Sequence, residues 1–454
     1  MDMNAAALGV PVRDLMLNAG VAVARFVQNS YPGARVRVFC GHGNNGGDGL
    51  AAASLVDEFK ISMVDGSDMR SDASREFAET VEDRMEPFTG IESDFDVLVD
   101  AGLGIGVSGT LRPEWRRYVD FCNNFEGTIV SVDVPTGFGT DAQVVPDVTV
   151  TMVDVKEGMT EESCGEIVTA DIDMPLDATL CTGPGDVLRY PVPSPGAHKG
   201  DSGRLLVIGG GPYLGAPALA TLAAMRIGTD MVYTAVPSRV VGTVSTIAPE
   251  SVVVELHDGV LDSSDVPVIL ETASKCDAVL IGPGLGTEDS TMKAVRKIVE
   301  SVDVPTVIDA DGITAVKGVH LRDNIVVTPH YGEFKRLGGD GSEPADVIAL
   351  AKTLGCTVLL KGRTDLISDG ERICMNFTGC AGMTSAGTGD VLAGVTAGLL
   401  ARGMNTFDAA KVASYITGLA GESVFKEKSY GLRASDVAEQ IAVELRDALR
   451  EAGV

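Results

Sequence analysis

Short apolar runs and longer amphipathic stretches alternate along the whole chain. The apolar runs, rich in Val, Ile and Leu, predict mostly buried strands at 35–40, 95–100, 128–134, 147–152, 204–208, 277–281, 306–308, 325–327 and 357–360. The longer stretches predict helices at 11–29, 216–227, 390–401, 406–425 and 435–448. Strands that alternate with helices build parallel sheets covered by helices, so the pattern predicts an α/β protein.

A proline-rich segment divides this pattern into two series. Residues 189–196 read RYPVPSPG, and their alternating prolines favour extended backbone that cannot lie inside a helix or a central strand. The two halves share no motif, and 454 residues exceed the size of one ordinary domain. We therefore predict two unrelated α/β domains, residues 1–190 and residues 191–454.

The charge and composition exclude several classes of partner. A net charge of −28 argues against binding of nucleic acid or an anionic membrane through a basic surface field. The sequence has no uncharged apolar run of about 18 residues, and its first residues lack the basic region of a signal peptide. The eight cysteines form no CxxC pair, which is typical of reduced, buried thiols. We expect a cytoplasmic, homo-oligomeric protein without nucleic-acid or membrane partners.

Three segments that carry Gly and Asp follow predicted strands of the first half: GHGNNGGDG at 41–49, DAGLGIG at 100–106 and SVDVPTG at 131–137. The five glycines of the first segment predict a loop that turns sharply and offers backbone N–H groups to an anion at the next helix. Their spacing departs from GxGxxG, so the usual dinucleotide fingerprint has weak support. A tight structural loop is the alternative.

Polar side chains at these strand ends indicate a cation site. The carboxyl ends of parallel strands meet in one crevice, where an aspartate has no packing role. Asn45, Asp100 and Thr136 offer amide, carboxylate and hydroxyl oxygens, which are the ligands that a hard cation takes. Capping of the following helices is the alternative role of the aspartates.

The clearest chemical motif of the second half is AGTGD at 386–390, at the head of an apolar helix. Gly387, Thr388 and Gly389 can present successive N–H groups as an anion hole for a transferring phosphoryl group. Asp390 is placed to take the proton of the attacking hydroxyl. No GxxxxGK[ST] motif is present, so this is not a Walker-type nucleotide site.

Taken together, LMLNAG at 15–20 and the three segments of the first half resemble the YjeF-type NAD(P)H-hydrate epimerase domain, over about residues 10–180. The resemblance implies a Rossmann-like domain that binds potassium through Asn45, Asp100 and Thr136. Leu17 stands where the family often has Glu, and Thr136 replaces the usual Ser but keeps the hydroxyl ligand. Asp133 is our candidate acid/base. The implied contacts with the hydrated nucleotide are Asn44, Asn45, Gly46, Gly47, Asp48, Gly104, Ile105, Gly106, Val107, Ser108, Gly109, Thr110 and Asp133.

The second half resembles the ADP-dependent NAD(P)H-hydrate dehydratases, a branch of the ribokinase-like superfamily, over residues 195–450. The motifs that carry the resemblance are HKGDSG, YLGAPAL, GPGLG, IDADGI, TPHYGE, LKGRT and AGTGDVLAG. The implied contacts with the hydrated nucleotide are Ala216, Gly284, His330 and Asp390. The implied contacts with ADP or ATP, which Mg²⁺ accompanies, are Lys361, Gly362, Arg363, Thr364, Asp365 and Gly389. A purely structural role stays open for His330 and for the GPGLG loop. Ala386 replaces the family's more common Gly, and Asp365 replaces a frequent Thr.

Together the two resemblances imply a bifunctional repair enzyme for the hydrates of NADH and NADPH (NADHX and NADPHX). The first domain would interconvert the R and S hydrates, and the second would dehydrate the S form at the expense of ADP or ATP. Our hypothesis is that Asp390 deprotonates the ring hydroxyl, which is phosphorylated and then leaves as phosphate. Two alternatives stay open. The second domain could be a small-molecule kinase, and the first could be a scaffold in RNA metabolism, although the intact NNGGDG and the acidic charge argue against a scaffold.

Overall fold

The computed structural model describes residues 1–66 and 68–454 and divides into two compact units. Apart from the first three residues, which are shared between them, the units are residues 4–176 and 177–454. The boundary therefore lies at residue 176, and not at residue 190 as the prolines suggested. The reason is packing, because Val187 is fully buried in the core of the second unit and Asp186 pairs with Lys411 at 2.5 Å. We call the units the first and second domains.

The described part of the first domain contains one sheet of seven strands. The strands are β1 (Val36–Cys40), β2 (Lys60–Met63), β3 (Met85–Pro87), β4 (Val97–Ala101), β5 (Thr128–Val132), β6 (Val148–Met152) and β7 (Glu166–Ala170). The helices are α1 (Asp2–Ala7), α2 (Val12–Ser30), α3 (Asn44–Ser54), α4 (Asp72–Thr80), α5 (Pro113–Asn123), α6 (Glu161–Cys164) and α7 (Leu176–Leu180), of which α7 spans the boundary. The strand order is β3-β2-β1-β4-β5-β6-β7, and every neighbouring pair is parallel.

The topology of this sheet places its crevice between β1 and β4. From β1 the chain proceeds to β2 and β3 on one side and then returns as β4 on the other side of β1. All residues of β1 and β4 are buried, as expected of central parallel strands with both faces covered. Ligands of such sheets bind where the strand order reverses, at the carboxyl ends of the strands.

The second domain has nine strands among its described residues. They are β8 (Arg204–Ile208), β9 (Met231–Pro237), β10 (Val252–Leu256), β11 (Ala278–Ile281), β12 (Thr306–Ile308), β13 (Ile325–Val327), β14 (Thr357–Leu360), β15 (Asp365–Ser368) and β16 (Ile373–Asn376). The helices are α8 (Ala216–Arg226), α9 (Ser238–Ile247), α10 (Val266–Ala273), α11 (Asp289–Ser301), α12 (Asp311–Ala315), α13 (Tyr331–Leu337), α14 (Pro344–Leu354), α15 (Thr388–Ala401), α16 (Thr406–Lys428) and α17 (Ala434–Glu451).

This second sheet runs β10-β9-β8-β11-β12-β13-β14-β15-β16 and reverses its order between β8 and β11. The strands from β10 to β14 are parallel, whereas β15 and β16 add an antiparallel edge. Helices α8, α15, α16 and α17 pack into one hydrophobic core, and helices α10, α11, α13 and α14 pack into another.

The predicted α/β class is confirmed, and every predicted strand and helix has a counterpart. The bounds of β8, β12, β13 and β14 agree with the prediction to the residue. The strands β2, β3, β7, β9, β10, β15 and β16 were not predicted. No helix in the described part of the chain is both long and apolar enough to cross a lipid bilayer.

Candidate active sites

The glycines of the 41–49 segment serve close packing. Helix α3 begins inside this segment, so its last three glycines are helical. A Cβ atom on Gly46 would lie 1.9 Å from the carbonyl oxygen of Gly41, and one on Gly49 would lie 2.5 Å from the Cβ of Ala101. None of the five glycines has a positive φ. The predicted sharply turning loop is therefore wrong, and Gly46 and Gly49 instead let α3 pack closely against the end of β1 and against β4.

The three candidate cation ligands of the first domain lie in one hydrogen-bonded chain. The backbone of Leu103 links them, because its N–H donates to Thr136 Oγ1 at 3.0 Å and its carbonyl accepts from Asn45 Nδ2 at 3.1 Å. Thr136 Oγ1 in turn donates to Asp100 Oδ1 at 2.6 Å. All three side chains are buried. The crevice thus brings together the residues that the sequence predicted.

Asp100 is fully buried and accepts hydrogen bonds at both carboxylate oxygens. Besides the Thr136 hydroxyl, its donors are the Thr136 N–H, the Ser131 hydroxyl and the Tyr118 hydroxyl, each at 2.9 Å. Burial raises the pKa of Asp100 above its ordinary value, while these hydrogen bonds oppose the rise. Four donors use the lone pairs of one carboxylate, so Asp100 acts as the fixed centre of this network.

Asn45 has a buried side-chain oxygen that is not used within the described part of the protein. Its Oδ1 is buried and has no hydrogen-bond partner among the described residues. A buried acceptor without a partner costs about 1–3 kcal/mol unless a ligand satisfies it. Thr136 Oγ1, which accepts only one of the two hydrogen bonds that a hydroxyl oxygen can take, has a lone pair left. Neutral oxygen donors beside one carboxylate fit a monovalent cation.

Asp133 follows β5 and forms an ion pair that the sequence did not predict. Its carboxylate lies 2.6 Å from Lys156 Nζ and accepts from the Met152 N–H at 3.1 Å. Its φ of 61° is unusual for a residue other than glycine, and such backbone strain often marks functional sites. Nearby, burial and then the charge of Asp133 raise the pKa of Asp48 well above its ordinary value. Asp48 therefore lies within the electrostatic influence of a lysine-paired carboxylate.

The predicted substrate loop at 104–110 lies at the mouth of the same crevice. A Cβ atom on Gly104 would lie 3.6 Å from the Cβ of Asn45, so the loop starts beside the cation ligands. Most of the loop is exposed, including Ile105 with 63% of its surface accessible, while Val107 packs against the core. Asn44, in the first turn of α3, is exposed as well.

In the second domain the loops after β8 and β11 are in close contact, at the point where the strand order reverses. Gly210 N–H donates to the Pro283 carbonyl at 2.8 Å. Gly284 has a φ of 71°, and a Cβ atom there would lie 3.2 Å from the Cβ of Ala216. The predicted substrate contacts Ala216 and Gly284 are therefore neighbours.

The start of α15 has the geometry that AGTGD predicted. Gly387 precedes the helix with a φ of 94°, and Asp390 lies in the first turn. The first N–H groups of a helix lack intrahelical partners, although Thr388 N–H approaches the Ser385 carbonyl at 3.5 Å. Among the described residues, no group donates a hydrogen bond to the Asp390 carboxylate. Burial and then the charge of Asp309 raise the pKa of Asp390 to about 7, while Lys361 opposes the rise.

Lys361 pairs with a buried acid at this site. Its Nζ donates to Asp309 Oδ1 at 2.8 Å, and Thr328 Oγ1 donates to the same oxygen at 2.7 Å. Burial alone would lower the pKa of Lys361, but the charge and hydrogen bond of Asp309, together with the charges of Glu333 and Asp390, outweigh burial and raise it. A Cβ atom on Gly389 would lie 3.3 Å from Nζ, so the ammonium is beside the start of α15.

His330 both caps a helix and presents a donor. Its Nδ1 accepts from the N–H groups of Gly332 and Glu333 at 2.9 and 3.2 Å, at the start of α13. In the neutral ring the proton is therefore on Nε2, which is a donor. The ring is largely exposed, since 59% of the side chain is accessible. A structural and a ligand-binding role are thus compatible.

Four of the six predicted nucleotide contacts line one cavity of about 260 Å³. Its lining is Tyr331, Ser342, Leu360, Lys361, Gly362, Arg363, Thr364 and Leu366. Gly389 lies beside Lys361, as described above. Asp365 differs, because its carboxylate accepts from Gly362 N–H at 3.0 Å, from Asn376 at 3.3 Å and from the Ser414 hydroxyl. Its side chain therefore braces the turn that Gly362 and Arg363 form.

Lys156 and Asp309 are the site residues that sequence reasoning missed. Lys156 lies four residues after β6, outside the motifs that carry the resemblance of the first domain. Asp309 directly follows β12, as Asp133 directly follows β5. Position at a strand end could have found Asp309, whereas only the fold brings Lys156 to Asp133.

Comparisons with known proteins agree with this division of sites. A family model described as YjeF-related protein N-terminus matches residues 12–158, and one described as NAD(P)H-hydrate dehydratase matches residues 205–443. The bifunctional NAD(P)H-hydrate repair enzyme Nnr of Methanothermobacter thermautotrophicus is 38% identical, over 97% of this chain and 92% of its own. The enzyme of the same name from Archaeoglobus fulgidus is 36% identical, over 97% of this chain and 96% of its own.

Solved structures show a related fold. The ADP/ATP-dependent NAD(P)H-hydrate dehydratase from Bacillus subtilis, co-crystallized with ATP/Mg²⁺, has 24% identity and a TM-score of 0.52, over 59% of this chain and 99% of its own. A ribokinase-like superfamily protein from Enterococcus faecalis has 24% identity and a TM-score of 0.54, over 58% of this chain and 94% of its own. At this identity the likeness concerns the fold alone. Since two family models match in order and relatives align over nearly all of both chains, the chain belongs to the family of bifunctional NAD(P)H-hydrate repair enzymes.

Proposed function

We propose that the chain performs both steps of NAD(P)H-hydrate repair. The first domain epimerises the R and S hydrates of NADH and NADPH, and the second domain dehydrates the S hydrate at the expense of ADP or ATP. The observation that carries the proposal is Asp390, a carboxylate with a pKa raised to about 7 in the first turn of α15, beside free helix amides. A base with a pKa near the working pH is well suited to proton transfer.

In the second domain, Asp390 takes the proton of the C6 hydroxyl as its oxygen attacks the terminal phosphorus of the nucleotide. The amides of Gly387 to Gly389 bind the phosphoryl oxygens. Phosphate then leaves C6 with the electrons of the C–O bond, a proton leaves C5, and the C5–C6 double bond returns. Phosphorylation is required because hydroxide is a poor leaving group. His330 Nε2–H, Ala216 and Gly284 would orient the hydrate at the same edge of the sheet.

The cavity lined by Lys361 to Thr364 is our candidate site for ADP or ATP. We propose that the Asp365 side chain contributes indirectly, by bracing the turn. The donor set fits a Mg²⁺ ion that is held mainly by the nucleotide phosphates, since the nearby carboxylates of Asp309 and Glu333 already accept hydrogen bonds within the protein. When bound, Mg²⁺ neutralises charge on the phosphates.

In the first domain, Asp133 is our candidate acid/base for epimerisation. It removes the proton of the C6 hydroxyl as the C6–N1 bond opens to an aldehyde, and returns it when the bond re-forms on the other face of C6. Lys156 fixes its orientation through the ion pair at 2.6 Å. Asp48, whose pKa burial and the Asp133 charge raise, is our candidate for a second polar contact with the substrate. The exposed segment at 104–110 would cover the nucleotide from the mouth of the crevice.

We propose potassium as the ion of the Asn45 site. The unpartnered Oδ1 of Asn45 and the free lone pair of Thr136 would hold it, while Asp100, whose carboxylate is occupied by protein donors, would supply the negative charge behind Thr136. When bound, the ion offsets the negative charge of the substrate phosphates. We also propose a cytoplasmic location, in keeping with the free cysteines, and a homo-oligomeric state, which light scattering of the purified protein would test.

The deciding experiment for the second domain supplies purified S hydrate with ADP or ATP. Repair should release one phosphate for each reduced ring that is recovered. A stable phosphorylated product without recovery of the ring would instead identify a small-molecule kinase.

A further inference from the structure

A hydrogen-bonded row of three side chains lies at the carboxyl ends of the strands of the second sheet, near Asp390 of α15. Its members are Asp309, Thr328 and Lys361. Each of these residues directly follows one of the adjacent parallel strands β12, β13 and β14. Successive strand ends therefore set the three side chains side by side. Thr328 and Lys361 both donate to Oδ1 of Asp309, which is 1% exposed. The mechanism above gives Asp309 no role.

The backbone around Asp309 is held unusually tightly. A Cβ atom on Gly282 would lie 1.8 Å from the carbonyl oxygen of Asp309, so only glycine allows the loop after β11 to approach it this closely. The next residue, Ala310, has a φ of 48°, a strained conformation that only a well-determined environment maintains. The Asp309 carboxylate is consequently a fixed point in the site.

The ammonium that Asp309 holds lies where phosphoryl transfer would occur. Lys361 Nζ is beside Gly389 at the start of α15, because a Cβ atom added to Gly389 would lie 3.3 Å from it. The ionisable groups that face Lys361 and Asp390 are Asp309, Asp311 and Glu333. Among them only Asp309 forms a direct bond with the ammonium in this structure.

We propose that Asp309 is a positioning residue for dehydration, which holds the Lys361 ammonium against the phosphoryl-binding amides of α15 and away from Asp390. This inference rests on the dehydratase function proposed above. Without Asp309 the buried ammonium would be drawn to the acids that remain around it, of which Glu333 already accepts a hydrogen bond and Asp390 accepts none among the described residues. The phosphoryl group would then lose a cation, and the base would be tied up in an ion pair.

The charges predict opposite changes in two variants. Asp309 raises the pKa of Asp390 and Lys361 lowers it. Asp309→Asn removes the charge that raises the pKa of Asp390 and leaves the ammonium unpaired. In a plot of dehydration rate against pH, the acidic limb should therefore move down by about one pH unit. In Lys361→Met the limb should move up. In the double variant both charges are absent, and the limb should return towards that of the wild-type protein.

The rates add a second readout. Loss of a residue that orients a catalytic group typically costs about 10- to 100-fold, which we expect for kcat of Asp309→Asn. Thr328→Val removes one of the two hydrogen bonds that fix the carboxylate and should lower kcat by about 10-fold. Thr357→Val is the matched control. Thr357 is as buried as Thr328 and donates to Thr406, but it is the first residue of β14 and so lies at the other end of the strand from Lys361.

The experiment measures kcat against pH for the full-length protein and these variants, with S hydrate and saturating ADP or ATP. Opposite shifts of the limb that cancel in the double variant support the proposal. A limb that stays in place in Asp309→Asn, or a Thr328→Val variant that matches Thr357→Val, overturns it. If the charge variants fail to fold, the threonine pair alone decides. A wild-type protein that does not dehydrate the S hydrate would instead contradict the proposed function, so the two failures are distinguishable.

Discussion

Replacing Asp390 by Asn isolates the proton acceptor of the second domain. The two side chains have nearly the same shape, and no described group donates a hydrogen bond to the carboxylate, so the fold should be unaffected. Loss of a general base costs about 10²- to 10⁴-fold in kcat, which corresponds to about 3–5 kcal/mol of transition-state stabilisation. Epimerisation by the first domain should stay unchanged.

The pH dependence gives this prediction its sign. The base acts in its ionised form, and the pKa of Asp390 is about 7. About one tenth of the molecules carry the ionised form at pH 6 and about nine tenths at pH 8, so dehydration should rise with pH across this range. The limb should disappear in Asp390→Asn.

The assay follows the absorbance of the reduced nicotinamide ring, starting from S hydrate and saturating ADP or ATP. Chromatographic separation of the R and S hydrates in parallel samples monitors the first domain. A near-wild-type rate in Asp390→Asn, or the same limb near pH 7, would refute the assignment of Asp390 as the base.

Three further predictions concern the first domain and the boundary. Gly46→Ala should destabilise the first domain by about 3 kcal/mol in denaturant unfolding, because the added Cβ would lie 1.9 Å from the carbonyl oxygen of Gly41. Gly43→Ala is the control, because Gly43 has open space around it, and it should change stability by less than about 0.5 kcal/mol. Epimerisation should slow when a bulky organic cation replaces potassium at equal ionic strength. Asp100→Ala should lose this dependence and most of the epimerase activity, while dehydration by the second domain continues. A wild-type epimerisation rate that is the same with and without potassium would contradict the site. Fragments 1–176 and 177–454 should each keep one activity. Fragment 191–454 should unfold at a lower denaturant concentration than 177–454, because it lacks Val187, whose burial contributes about 1.5–3 kcal/mol. Equal stability of fragments 177–454 and 191–454 would contradict the boundary.

Central strands and their loops could be predicted from the sequence, because burial on both faces makes them continuous apolar runs. Strands near the sheet edges could not. The residues of β7 are all partly buried or exposed, and β10 has a single buried residue. Strand β9 is buried but follows α8 after a short turn, and its Tyr and Thr interrupt the apolar run.

The sites divide in the same way. Residues at the carboxyl ends of predicted strands, such as Asp133 and Thr136, could be assigned to the crevice because parallel topology dictates where strands end. Lys156 and Tyr118 reach their acidic partners only through the packing of a loop and of α5, which no spacing encodes. The glycines of the NNGGDG motif were attributed to a turn because the sequence cannot distinguish a glycine that turns from one that allows close packing.

Recovery of the reduced ring from a mixture of R and S hydrates tests the central claim most directly. One protein with both activities should convert the whole mixture to NADH or NADPH when ADP or ATP is present, because epimerisation replenishes the S form. Without a nucleotide the ring should not return. Recovery that stops at the initial share of the S hydrate would contradict the epimerase assignment, and no recovery at all would contradict the dehydratase assignment.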